Sequence, residues 1–181
     1  MLSPIRTVLQ HFPLRFFLSI LVMALISVFM FIRIKQKYGD GLISKSEGIV
    51  GWLLINYIMV LLFFTLIGRH SWDYYRYNFD PGYSYRQVFL VGDMDLAAQL
   101  LSNIAVFIPI GIMASFLSRR FSFVKTILCG FLISLIIEFL QLVLKLGCCE
   151  IDDLISNLIG TLLGCIAMGI FRLVCLLRKH I

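Results

Sequence analysis

Glu138 and Gln141 stand three residues apart in an apolar stretch near the C-terminus, and Asp152, Asp153 and Asn157 follow in the next one. Carboxylates can move protons, hold a hard cation through oxygen, or accept hydrogen bonds, and carboxamides both donate and accept. A charged side chain at membrane depth costs about 3 kcal/mol on insertion scales, so such residues face a bundle interior or a wet cavity. With Asn103 of an earlier apolar stretch, these five form the candidate functional cluster. Within it Glu138, Asp152 and Asp153 are the candidate ligands for a divalent cation, the cofactor that this chemistry would accept.

The elements that must position the cluster are membrane helices. The 181 residues are 60% hydrophobic and 14% charged, with mean hydropathy +0.96, too little polar material to cover a soluble surface. A span needs about 20 mostly apolar residues. Five windows are expected to cross: Leu14 to Ile32, Gly48 to Gly68, Leu96 to Leu117, Val124 to Leu146 and Ile151 to Leu177. The chain therefore reads as an all-α, polytopic integral membrane protein in a single domain, 1–181. The first span opens like a signal peptide, but Ser27-Val28-Phe29-Met30 offers no small-x-small cleavage site, so it is expected to stay as an anchor.

Lysines and arginines fall at span ends and not in one patch, which argues against a nucleic-acid partner and lets them orient the chain. Two, three and one lie on the side of the N-terminus, against four, three and three on the other. The positive-inside rule then puts the N-terminus outside and the C-terminus in the cytoplasm. Three of the five cysteines (Cys129, Cys165, Cys175) sit in apolar spans as small hydrophobes, and adjacent Cys148 and Cys149 lack a metal or dithiol spacing. His11, His70 and His180 lie near chain ends or in a loop and join no nucleophile constellation.

The segment from Arg69 to Asp95 mixes Trp72, Tyr74, Tyr75, Tyr77, Phe79, Tyr83 and Tyr85 with Arg69, Arg76 and Arg86. It reads either as an interfacial belt or as a loop that folds over the outer mouth and offers arginine to an anionic headgroup. Pro109 frees the carbonyl of Ala105 and should kink the third span. Glu138 and Gln141 share a face, with Glu138 roughly 12 Å inside the end of its span. Asp153, Asn157, Gly160, Gly164 and Met168 recur at helical spacing, and the glycines allow another backbone to approach. The acids at this helix start also suit its dipole and its cap. A tight turn over Gly147 to Ile151 would make the last two spans an antiparallel hairpin and gather the cluster into one outward-facing crevice.

These residues resemble the pattern of the VanZ-like family. Arg69 resembles its arginine near a span end, Asn78 and Pro81 its Asn-x2-Pro element, and Asn103, Phe107, Pro109 and Gly111 its Asn-x3-Phe-x-Pro-x-Gly segment. Glu138 and Gln141 match its Glu-x2-Gln, and Asp152, Asp153, Asn157, Gly160 and Gly164 its Asp-Asp-x3-Asn-x2-Gly-x3-Gly run. Glu150 stands where Asp is frequent, and Cys148 near the place of a frequent Arg. The similar core spans about 48–177, leaving 1–47 as an anchor span and a cytoplasmic loop.

The resemblance implies a bacterial cytoplasmic-membrane protein that lowers susceptibility to teicoplanin-type, lipid-anchored glycopeptides in Gram-positive bacteria, without supplying a mechanism. Its partners would be membrane lipids and a lipid-linked cell-wall precursor or lipoglycopeptide. Three chemistries are open to the crevice. It can bind an envelope lipid or glycan, act as a carboxylate and metal-dependent intramembrane enzyme on a cell-wall lipid, or belong to a small lipid transporter or flippase accessory.

Overall fold

The computed structural model describes residues 4–67, 71–118 and 122–178. Its elements run α1 (Pro4–Gly39), α2 (Lys45–Leu62) with a π turn over Phe63–Ile67, β1 (Tyr77–Asn78), α3 (Tyr83–Arg86) continuing into a π turn over Gln87–Val91, α4 (Met94–Leu117), α5 (Phe123–Val143), β2 (Cys149–Glu150) and α6 (Ile151–Arg178). Five of the described helices are long and apolar enough to cross a membrane, so the chain is an all-α, multi-pass membrane protein. Packing divides it into two compact units, 1–68 and 69–181.

The first unit is a helical hairpin. Gly41, at φ 70°, ends α1 with paired bonds from its own N–H to Tyr38 O (3.0 Å) and from Leu42 N–H to Lys37 O (3.0 Å). Ser44 then starts α2 through a capping box, accepting from Glu47 N–H (3.2 Å) while Glu47 Oε2 accepts from Ser44 N–H (2.7 Å). Deeper in the hairpin, Trp52 Nε1 donates to Ser27 O at 3.3 Å and its ring stands edge-on to Phe31 at 6.2 Å.

The second unit is built on α4, α5 and α6, and α4 against α6 is its most extensive contact. Missing side chains make that contact possible. A Cβ on Gly160 would overlap Ile104 O, one on Gly164 would overlap Ile108 O, and one on Gly111 would overlap Thr161 O. Phe107, 2% exposed, packs beside Gly160. Helix α4 runs through Pro109 without interruption. Gly130 of α5 admits the Thr161 side chain in the same way.

Residue 130 thus faces 161, and a bond from Asn157 Nδ2 to Ser134 Oγ (2.8 Å) pairs 134 with 157. One turn further, the antiparallel register sets Glu138 opposite Asp153. At the other end of the unit, Arg172 Nη2 donates to Ser115 O (2.6 Å), Phe116 O (3.3 Å) and Ser118 O (3.4 Å), satisfying the last carbonyls of α4.

Helix α5 stops at Val143, three residues short of the expected Leu146. Lys145 takes φ 55°, and bonds from its N–H to Leu142 O (3.1 Å) and from Leu146 N–H to Gln141 O (2.8 Å) close a Schellman motif. A glycine usually fills that left-handed position, so the stop carries no compositional mark.

Because backbone carbonyls lie where new side-chain atoms would go, Gly160→Val should lose more than about 3 kcal/mol. Gly39→Ala, with open space around it, should be close to neutral. Thermal unfolding of the purified variants in detergent checks both.

Candidate functional site

The cluster is brought together where the α5–α6 turn meets the segment 71–91. Strand β1 pairs in parallel with β2, Tyr77 opposite Cys149 and Asn78 opposite Glu150, and Cys149 N–H donates to Arg76 O at 3.0 Å. Trp72 N–H donates to Lys145 O at 2.9 Å, and Lys145 Nζ returns to Asp73 O at 3.1 Å while lying 4.8 Å over the Tyr75 ring. The segment is therefore laid along the hairpin turn, which matches the fold-back in the second of its two sequence readings and nothing more of it.

Asp152 holds it there. Its Oδ1 accepts from Gly82 N–H at 2.6 Å and its Oδ2 from Ser84 N–H at 2.7 Å, so it caps α3 across 70 residues of chain. The sequence expects this acid to cap its own helix; its carboxylate instead serves another. Asn78 and Pro81 shape the approach: Asn78 Oδ1 accepts from Asp80 N–H (3.2 Å), turning the chain toward Pro81 and Gly82. Tyr85 adds a 2.8 Å bond between its hydroxyl and Ser156 Oγ, and Ser84 Oγ reaches Glu150 at 3.3 Å.

Expected arginine donors are not what the described part of the segment supplies. Arg76 lies over the Trp72 ring at 4.6 Å and Arg86 pairs with Asp80. The donors are backbone N–H groups, which the α3 turn aligns. Arg69 lies outside the described residues.

Behind this latch the remaining acids and amides line the interior. Asp153 accepts from Gln99 Nε2 of α4 at 3.0 and 3.1 Å, one to each oxygen. Glu138 Oε2 accepts from Glu150 N–H at 3.1 Å, and Asn157 donates to Ser134. Glu138, Gln141, Asp152, Asp153 and Asn157 are each 5% exposed or less. Asn103 is half-buried and its side chain bonds no described residue, so it stands one turn from Gln99 without joining the network. Gln99, Ser134, Ser84, Tyr85 and Ser156 were not singled out by sequence; Gln99 and Ser134 each lie one turn before a residue that was.

Two buried acceptors are left over: Gln141 Oε1 and Asn157 Oδ1 find no hydrogen-bond partner among the described residues. A buried polar atom without a partner costs about 1–3 kcal/mol. Each keeps lone pairs for a donor that the described residues do not supply. The expected divalent-cation set gains no support: among the described residues no three His, Cys, Asp or Glu side chains converge as ligands. The carboxylates of Glu138, Asp152 and Asp153 instead accept N–H groups.

The turn thiols feel these carboxylates. Burial, then the Glu138 charge and hydrogen bond, then Asp153 and Glu150, push Cys149 up to about 11. Burial, then the charge and hydrogen bond of Glu150, raise Cys148 to about 11 as well. Both thiols are held in the protonated form at neutral pH, which slows their reactions because the thiolate is the nucleophile.

Five apolar spans, with a buried acid and amide centre held among α4, α5 and α6 of the second unit, define a multi-pass membrane protein with a polar core. The chain belongs to the VanZ/LLP1 family, whose model matches residues 16–172. No curated protein and no solved structure matches it.

Replacing Asp152 by Ala strands two N–H donors, so amide exchange at Gly82 and Ser84 should accelerate about a hundredfold, the equivalent of losing roughly 3 kcal/mol of charge-assisted bonding. Hydrogen-exchange mass spectrometry reads it, and unchanged protection would mean that the latch does not rest on Asp152. Alkylation of Cys148 should run about a hundredfold slower at pH 8 than that of an ordinary thiol, rise about tenfold per pH unit toward pH 11, and quicken in Glu150→Gln. Mass spectrometry of iodoacetamide-treated protein over pH 7–10 checks the profile.

Proposed function

We propose that the protein works at the outer surface of a bacterial cytoplasmic membrane, where its polar core binds an envelope lipid or lipid-anchored glycan and lowers susceptibility to teicoplanin-type glycopeptides. The observation that carries this reading is the pair of unmet buried acceptors, Gln141 Oε1 and Asn157 Oδ1, beside Glu138 and Asp153. A ligand rich in hydroxyl or amide N–H donors, as glycans and peptides are, would satisfy oxygens that the protein's own groups leave unmatched. Segment 71–91, latched through Asp152, would form the rim that such a headgroup meets.

The charge distribution supports the outward placement, with ten Lys and Arg on the side of the C-terminus against six on the other. Membership of the VanZ/LLP1 family supports the envelope context. Binding is favoured over catalysis because each interior carboxylate already accepts a hydrogen bond from protein.

The test is teicoplanin susceptibility of a sensitive Gram-positive host expressing the chain, beside Glu138→Gln, Asp153→Asn and Asn157→Ala variants matched for membrane abundance. The native chain should raise the inhibitory concentration several-fold and each variant should lose most of that rise. Protection that survives all three substitutions would remove the polar core from the function.

A further inference from the structure

We propose a second lipid site, separate from the polar core, in the groove of the α1–α2 hairpin, with an anionic phospholipid as its occupant. The groove encloses about 300 Å³ and is lined by Phe31, Ile34, Lys35 and Tyr38 of α1 and by Lys45, Gly48, Ile49 and Trp52 of α2. On α1 these positions follow the spacing i, i+3, i+4, i+7, a single stripe facing α2. Its volume reaches the lower end of the range for ligand pockets, about 300–1,000 Å³.

Its wall is apolar throughout, and the charged groups stand at one end of it. Lys35, Tyr38 and Lys45 lie toward the turn, while Phe31, Ile49 and Trp52 lie roughly 6 to 10 Å further into the span, at about 1.5 Å of rise per residue. Ammonium groups therefore sit at headgroup level above an apolar slot that leads toward the acyl region. The groove exists because Gly48 leaves room against Ile34, where a Cβ would already press on the Ile34 side chain, and because Trp52 is held to Ser27 O.

Charge selects the occupant. Arg33, Lys35, Lys37 and Lys45 surround the turn against two acids, Asp40 and Glu47. Of these, Glu47 is engaged with the Ser44 N–H in the capping box. Basic pockets between membrane helices bind anionic headgroups, and each nearby Lys or Arg contributes about 1 kcal/mol at an anionic surface. Lys35 and Lys45 are exposed, free to reach a phosphate while their stems cover the slot.

Native mass spectrometry of the full chain, released in detergent with phosphatidylglycerol or phosphatidylcholine of the same acyl chains, tests the assignment. The wild type should retain phosphatidylglycerol at least about fivefold better. Lys35→Gln/Lys45→Gln should lose the preference, Lys35→Arg/Lys45→Arg should keep it, and Arg178→Gln at the end of α6 should leave it unchanged. No preference in the wild type, or a preference that survives in the double glutamine variant, would overturn the site. A protein-only dimer that Trp52→Ala dissociates, with no lipid retained, would put a second copy of the chain in the groove and overturn it as well.

Discussion

A polar side chain inside hydrocarbon has no water to turn to, so every acid and amide on α5 and α6 has to be answered from another helix or from the connecting chain. The second unit is arranged around that constraint. Asp153 is met by Gln99 of α4, Asn157 by Ser134 of α5, Glu138 by the backbone of β2, and Asp152 by the backbone of segment 82–84. Such bonds need their partners within about 3 Å. The glycines of α4, α5 and α6 bring the helices close enough for it, which ties Gly111, Gly130, Gly160 and Gly164 to the site although none of them carries a functional group.

The same constraint explains why a segment of aromatic and charged residues folds back over the helix ends. Two residues of parallel pairing between β1 and β2 would not hold it alone. Asp152, with one oxygen on each of two N–H groups, and Lys145, reaching Asp73 O and the Tyr75 ring, fix its two sides. The rim of the polar core is thus set by main-chain donors, and the described arginines are used up within the segment itself.

Much of this was legible in the sequence, for a physical reason: apolar runs long enough to span are costly to misread, and acids within them are costly to keep. The five spans and the cluster of Glu138, Gln141, Asp152, Asp153 and Asn157 stood out on those grounds, as did the glycine spacing of α6. What stayed hidden depends on pairing at a distance. The capping of Gly82 and Ser84 by Asp152 uses backbone atoms that every residue has, and Lys145 in a left-handed position ends α5 without the usual glycine. Gln99 and Ser134 are unremarkable until the register sets them opposite Asp153 and Asn157.

Nearly complete satisfaction makes the exceptions informative. A core that answers its acids so fully, yet leaves Gln141 Oε1 and Asn157 Oδ1 unmatched, holds two acceptors where the ligand we propose would bond. The most direct measurement is the thermal unfolding midpoint of Gln141→Leu in lipid nanodiscs, read beside its protection against teicoplanin. If the oxygen is kept for a ligand, removing it in a side chain of similar volume leaves the midpoint unchanged or raised while protection is lost. A clear fall in the midpoint, or protection that persists, would make Gln141 part of the structural network and contradict that role.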